Sequence, residues 1–172
     1  MKKILVLLAI IITIAIAYFV VLKTDQSKMT TEKLDQPLTP TEEKIAGYEG
    51  AKIAGQKSLL LDFQKSDYDA ALVTDKLIVL YFYANWCPIC KEETANALYP
   101  AFNELTTDQI IGFQVSYNDD QTDANEKALA REFGVAYQHT KVFLKNGQRI
   151  LKSPESWDKN RYLAEFNKFL NQ

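Results

Sequence analysis

Two cysteines occur in 172 residues, and they stand two residues apart in Trp86-Cys87-Pro88-Ile89-Cys90. Such a pair can hold a metal, close a local disulfide, or take and give two electrons by thiol–disulfide exchange. A four-cysteine zinc site is excluded by count. Cys87, Cys90 and the lone His139 would make three ligands and still lack a fourth from the protein. A purely structural disulfide is a poor use of the pair, because so short a loop constrains little of the unfolded chain. Redox chemistry is the leading reading; the alternatives are metal or iron–sulfur binding by Cys87, Cys90 and His139, and a non-catalytic interaction domain in which the pair is inert.

The elements around the pair must position it. Leu77 to Tyr83 is an apolar run of β-branched and aromatic residues, the pattern of a buried strand. Helix-forming Lys91 to Leu98 follows the pair. The junction makes Cys87 the N-cap and Pro88 the first helical residue, where a missing N–H costs nothing. Free N–H groups and the helix dipole then favour a thiolate at an exposed Cys87, and Cys90 lies one turn in, more shielded.

In this setting Trp86-Cys87-Pro88-Ile89-Cys90 resembles the active site of the thioredoxin family. Thr140-Lys141-Val142-Phe143-Leu144-Lys145-Asn146-Gly147 resembles the strand and hairpin that follow that family's active-site proline. The resemblance covers residues 58–172. It implies a thioredoxin fold and a thiol–disulfide oxidoreductase with Cys87 as nucleophile and Cys90 as resolving thiol. Trp86 would shape the docking surface, with Pro88, His139 and Thr140 supporting the site. No cofactor is implied. The partners would be protein thiols or disulfides and a donor or acceptor of electrons.

Two positions depart from the family. Tyr81 stands where many thioredoxins carry a buried aspartate, which leaves the proton acceptor for Cys90 open. Glu93, one turn beyond Cys90, is a candidate, weighed against the ordinary reading of a solvated helix residue. His139 stands where the family has a cis proline, which brings the only histidine toward the thiols. A cis bond before a non-proline residue costs about 2.5–4 kcal/mol, so the Gln138–His139 bond is expected to be trans.

The remaining elements read as β-α-β-α-β-α-β-β-α, an α/β order fitting a central mixed sheet flanked by helices. Ser58 to Phe63 is the first strand, and Ser66 to Leu72 a helix with an early cap and an acidic first turn. Leu98, Phe102 and Leu105 give the active-site helix its core face, and Pro100 should bend it. Ile110 to Tyr117 is a strand. Asn118 to Asp123 lacks the glycine and glutamate of a calcium loop. Asp123 and Glu126 instead form a capping box for a helix over 124–133, ended by Gly134. Asn146-Gly147 joins strands 141–144 and 149–151. Ser153-Pro154-Glu155 opens a last helix with Tyr162, Phe166 and Phe169 on its buried face.

Upstream, Ile4 to Leu22 are nineteen uncharged, mostly apolar residues, enough to cross a bilayer core. Ala15-Ile16-Ala17 offers a signal cleavage site, but the run continues past it, which favours a retained anchor. Lys2 and Lys3 then place the N-terminus in the cytoplasm and the rest outside it. Residues 23–57 read as a polar tether and a loosely ordered lead-in. Of the 20 Lys and Arg, Lys2, Lys3 and Lys23 flank the apolar run, leaving 17 against 22 acidic residues. With no basic stripe, nucleic acid is not an expected partner.

Overall fold

The computed structural model describes residues 43, 44 and 47–171. The expected anchor at 4–22 and most of the tether lie outside these residues. Among the described residues no helix is long and apolar enough to cross a membrane.

Seven strands form one sheet. They are β1 (Glu43–Lys44), β2 (Ala51–Ala54), β3 (Leu59–Asp62), β4 (Leu77–Tyr83), β5 (Ile110–Ser116), β6 (Thr140–Lys145) and β7 (Gln148–Ser153), in the order β1-β2-β3-β5-β4-β6-β7. The β3–β5 and β5–β4 pairs are parallel, as helical crossovers require. The β2–β3, β4–β6 and β6–β7 pairs are antiparallel. The helices are α1 (Lys65–Leu72), α2 (Pro88–Glu93), α3 (Tyr99–Glu104), α4 (Ala124–Glu132) and α5 (Lys159–Leu170).

Strand β4 explains its own apolar run. Ile78, Leu80 and Phe82 point into one core with Tyr68 of α1 and Leu129 of α4. Leu77, Val79 and Tyr81 point into the other, with Phe102 of α3 and Phe166 of α5. Both faces are covered, so polar residues have no place until the strand reaches its C-terminal edge, where the cysteines begin.

Gly112 of β5 lies under α3. A Cβ there would stand 2.5 Å from Phe102 Cζ and 2.7 Å from Leu60 Cδ1. Gly112→Ala is expected to cost about 1–3 kcal/mol, read as a lower urea midpoint with an unchanged slope.

Three expectations need correction. Residues Ala51–Ala54 are a strand paired with β3 rather than a loose lead-in, reached through Gly55 at φ 86. Asp67 helps hold this region, its carboxylate accepting the N–H groups of Glu49 (3.0 Å) and Gly50 (2.8 Å). Helix α1 starts one residue earlier than expected and has no side-chain cap at Gln64. The last helix starts at Lys159, with Asp158 as N-cap accepting from Arg161 N–H at 2.7 Å. Ser153 is instead the end of β7, and its Oγ accepts the Trp157 indole N–H at 3.1 Å.

The expected bend at Pro100 takes the form of a wide π turn over Thr94–Leu98, after which α3 restarts at Tyr99. Proline cannot donate to the carbonyl four residues back, and a widened turn absorbs that loss. The capping box of α4 forms as expected. Asp123 Oδ1 accepts Glu126 N–H at 2.8 Å, and Glu126 Oε2 accepts Asp123 N–H at 2.9 Å. Asn146 and Gly147, both at positive φ, make the expected two-residue hairpin turn.

Candidate active site

Cys87 caps α2, with Pro88 next to it as the first helical residue. Its Sγ accepts the N–H of Cys90 at 3.2 Å, which ties the two cysteines together across one turn. Both are free thiols. On the approach side, the loop after β5 fixes the chain before the pair: Asn85 N–H donates to Asp119 Oδ2 at 2.9 Å, and the Trp86 indole N–H donates to Asn118 O at 2.9 Å. The acidic loop that resembles a calcium site thus serves as a brace for Trp86.

Cys87 is not exposed. It is 2% accessible against 0% for Cys90, packed with Ala84 and Tyr83. The imidazole of His139 also closes on it, with one ring nitrogen and both sulfurs all within 4.8 Å of one another. Next to the thiols in the chain Trp86 and Ile89 are open, at 52% and 50%, and so is Tyr137, two residues before His139, at 65%. The expected docking role of Trp86 fits this exposure.

Burial pushes the Cys90 thiol up to about 12, and the hydrogen bond with Cys87 adds to the effect, while backbone hydrogen bonding from Ala84 and His139 opposes it. A raised thiol pKa means less thiolate at any given pH. Alkylation of the reduced chain at neutral pH should therefore label Cys87 ahead of Cys90. Faster labelling of Cys90 at neutral pH, mapped by peptide mass spectrometry, would reverse the roles of the two thiols.

No cis peptide bond occurs among the described residues, so the Gln138–His139 bond is trans as expected. His139 itself takes φ 52, a left-handed conformation uncommon outside glycine but one that histidine adopts more readily than most side chains. Burial, then the nearby Lys141, hold its imidazole below the usual histidine range. Thr140 is buried and its hydroxyl donates to Tyr137 O at 2.7 Å, which holds the loop that carries His139.

Beneath the cysteines lies a buried polar cluster. Glu93 is buried, contrary to the solvated reading, and forms an ion pair with the equally buried Lys141 at 2.7 Å. Glu93 Oε1 also accepts Trp157 N–H (3.0 Å) and Tyr162 O–H (2.7 Å), and Oε2 accepts Tyr81 O–H (3.1 Å). The carboxylate makes no hydrogen bond with Cys90, so it is no direct proton acceptor in this arrangement. Desolvation, then Glu93, holds the Tyr81 phenol far above its ordinary range. Burial pulls the Lys141 ammonium down while Glu93 pulls it back. Lys141 Nζ further donates to His139 O at 2.9 Å and to Glu155 O. The pair therefore ties the helix carrying Cys90 to the loop carrying His139. A signal for it stands in the sequence: a lysine inside a buried strand requires an acid, and Glu93 is the acid one turn from Cys90.

The thioredoxin family model matches residues 60–171.

The chain belongs to the thioredoxin family.

Thioredoxin H4 of Arabidopsis thaliana is 36% identical over 87 residues, which are 49% of this chain and 64% of that protein. A thioredoxin of Mycoplasmoides gallisepticum is 34% identical over 84 residues, 49% of this chain and 75% of the relative. The chain thus spans about two thirds of the length of the curated relatives it matches. The crystal structure of thioredoxin from Aeropyrum pernix shares the fold with a TM-score of 0.53 at 19% identity, over 71% of this chain and 95% of that one. Within the thioredoxin fold, this chain combines Tyr81, Glu93 and Lys141 below the thiols with His139 beside them.

Proposed function

We propose that this chain is a membrane-anchored thiol–disulfide oxidoreductase that exchanges disulfides with proteins outside the cytoplasm. The observation that carries the redox reading is the free pair Cys87 and Cys90, joined by a 3.2 Å N–H···S hydrogen bond at a helix N-terminus, with exposed Trp86 and Ile89 on the same stretch of chain. The Cys87 thiolate attacks one sulfur of a substrate disulfide, forming a mixed disulfide and releasing the other sulfur as thiolate. Cys90 then loses its proton and attacks Cys87 Sγ. The Cys87–Cys90 disulfide forms, the substrate leaves as dithiol, and two electrons have passed from the chain to the substrate. The same steps reversed oxidise a substrate dithiol. Exposed Trp86 and Ile89 suit an extended segment of a partner protein. The membrane reading rests on the apolar run 4–22 flanked by Lys2, Lys3 and Lys23.

The test is the reduction potential of the full-length chain in glutathione redox buffers, with turnover of a protein disulfide measured alongside. A value near about −270 mV makes it a reductant and one near about −120 mV an oxidant. A pair that fails to equilibrate with either would sink the redox reading. Mass spectrometry of the chain recovered from membranes checks the anchor, since a mature N-terminus at Tyr18 would mean a cleaved signal.

A further inference from the structure

Among the described residues, Cys87, Cys90 and His139 are the group of cysteine, histidine and acidic side chains whose ligand atoms converge, all within 4.8 Å of one another. In a tetrahedral zinc site, Zn–S bonds of about 2.3 Å and Zn–N bonds of about 2.0–2.1 Å put donor atoms about 3.5–3.8 Å apart. From separations of at most 4.8 Å, the three groups thus need to draw in by no more than about 1.0–1.3 Å to close on an ion. Two sulfurs and an imidazole select a borderline or soft cation over magnesium or calcium.

We propose that Cys87, Cys90 and His139 form a three-ligand site for a single Zn²⁺ ion in the reduced protein, so that metal and disulfide compete for the same two sulfurs.

Three further features support a ligand role for His139. Its Nδ1 is buried without a hydrogen-bond partner, an unspent polar group that burial makes costly. Its carbonyl is held by Lys141 Nζ at 2.9 Å, and Lys141 is held by buried Glu93, so the residue is fixed by the kind of outer shell that orients metal ligands. It occupies a left-handed φ of 52, uncommon outside glycine though histidine adopts it more readily than most residues, and the loop keeps it there beside the thiols. Three protein ligands leave the fourth position to water or an incoming group, so the ion would be exchangeable and not a closed structural centre.

Binding is balanced simply. Zn²⁺ replaces two thiol protons, which are released to solvent, and accepts a lone pair from the imidazole. When a substrate disulfide takes two electrons from the pair, the Cys87–Cys90 bond forms and the ion leaves. Because zinc binds the dithiol and not the disulfide, it holds the chain reduced by mass action. Zinc would thereby regulate the exchange activity proposed above.

The experiment uses the full-length reduced chain in detergent, loaded with Zn²⁺ alone, freed of excess metal and assayed for bound ion. Co²⁺ serves as the spectroscopic probe of thiolate ligation and tetrahedral geometry. One ion per reduced chain, none in the disulfide form, and at least about 10-fold weaker binding in His139→Asn are expected. Asn tolerates positive φ, so that variant can keep the loop. Should its unfolding transition show damage, His139→Gly replaces it, since glycine accepts this φ freely. No retained metal in the parent overturns the proposal, and so does equal affinity in the His139 variant, which would mean adventitious binding by the thiols alone. Disulfide exchange without zinc binding would leave the redox reading standing, and zinc binding by a pair inert toward disulfides would do the reverse, so the two failures are distinguishable.

Discussion

Cys90→Ser will turn the chain into a trap, accumulating mixed disulfides through Cys87, whereas Cys87→Ser will accumulate few. Both variants will lose net exchange completely, because one remaining sulfur can neither store nor release an electron pair. The geometry sets the direction of this asymmetry. Cys87 is the N-cap, its sulfur receiving the Cys90 N–H and facing the positive end of the helix. Cys90 is fully buried one turn on, with its thiol pushed up to about 12. It can attack only a sulfur already brought to it, namely Cys87 Sγ in a mixed disulfide. Non-reducing electrophoresis of cells quenched in acid, with the captured proteins identified by mass spectrometry, reads the result. Stronger trapping by Cys87→Ser than by Cys90→Ser would exchange the two assignments.

The parts of the fold that could be read in advance are those whose cause is local. The run Leu77–Tyr83 is continuous because both faces of β4 are covered, and its two ends were readable to the residue. Cys87 and Pro88 announce a helix start, Asp123 and Glu126 close a capping box three residues apart, and Asn146-Gly147 turns a hairpin. Each signal is complete within a few residues. What escaped depends on partners far along the chain. Ala51–Ala54 is a strand because β3 receives it and Asp67 secures the N–H groups just before it. Pro154 does not open a helix because Ser153 pairs with Lys141 in the sheet and Trp157 N–H is drawn to Glu93. The nearness of His139 to the thiols was readable from its place in the loop that resembles the family's proline loop, but the burial of Cys87 at 2% was not, because it depends on how tightly that distant loop closes on the pair.

Glu93 and Lys141 are the extreme case, 48 residues apart, with Glu93 read as a candidate proton acceptor or a solvated helix residue and the lysine in a buried strand as the one sign that an acid must meet it. Their mutual dependence has the largest expected effect on stability. Lys141→Met should cost about 3–5 kcal/mol, because it leaves the Glu93 carboxylate buried and uncompensated. That is a large share of a total folding stability of about 5–15 kcal/mol. Adding Glu93→Gln to Lys141→Met should restore part of the loss. The Gln carbonyl can still accept from Tyr162 O–H and Trp157 N–H, and no buried charge then remains. The double variant should therefore be more stable than Lys141→Met alone, a sign that simple addition of two damaging changes cannot give. Urea denaturation of the four members of the cycle measures it, and purely additive losses would mean that the pair is not coupled. The double variant also lacks the ammonium that holds the His139 carbonyl at 2.9 Å. If that bond positions the loop, this variant should bind zinc more weakly than the parent even where its fold is recovered, separating the stabilising role of the pair from its role in placing His139.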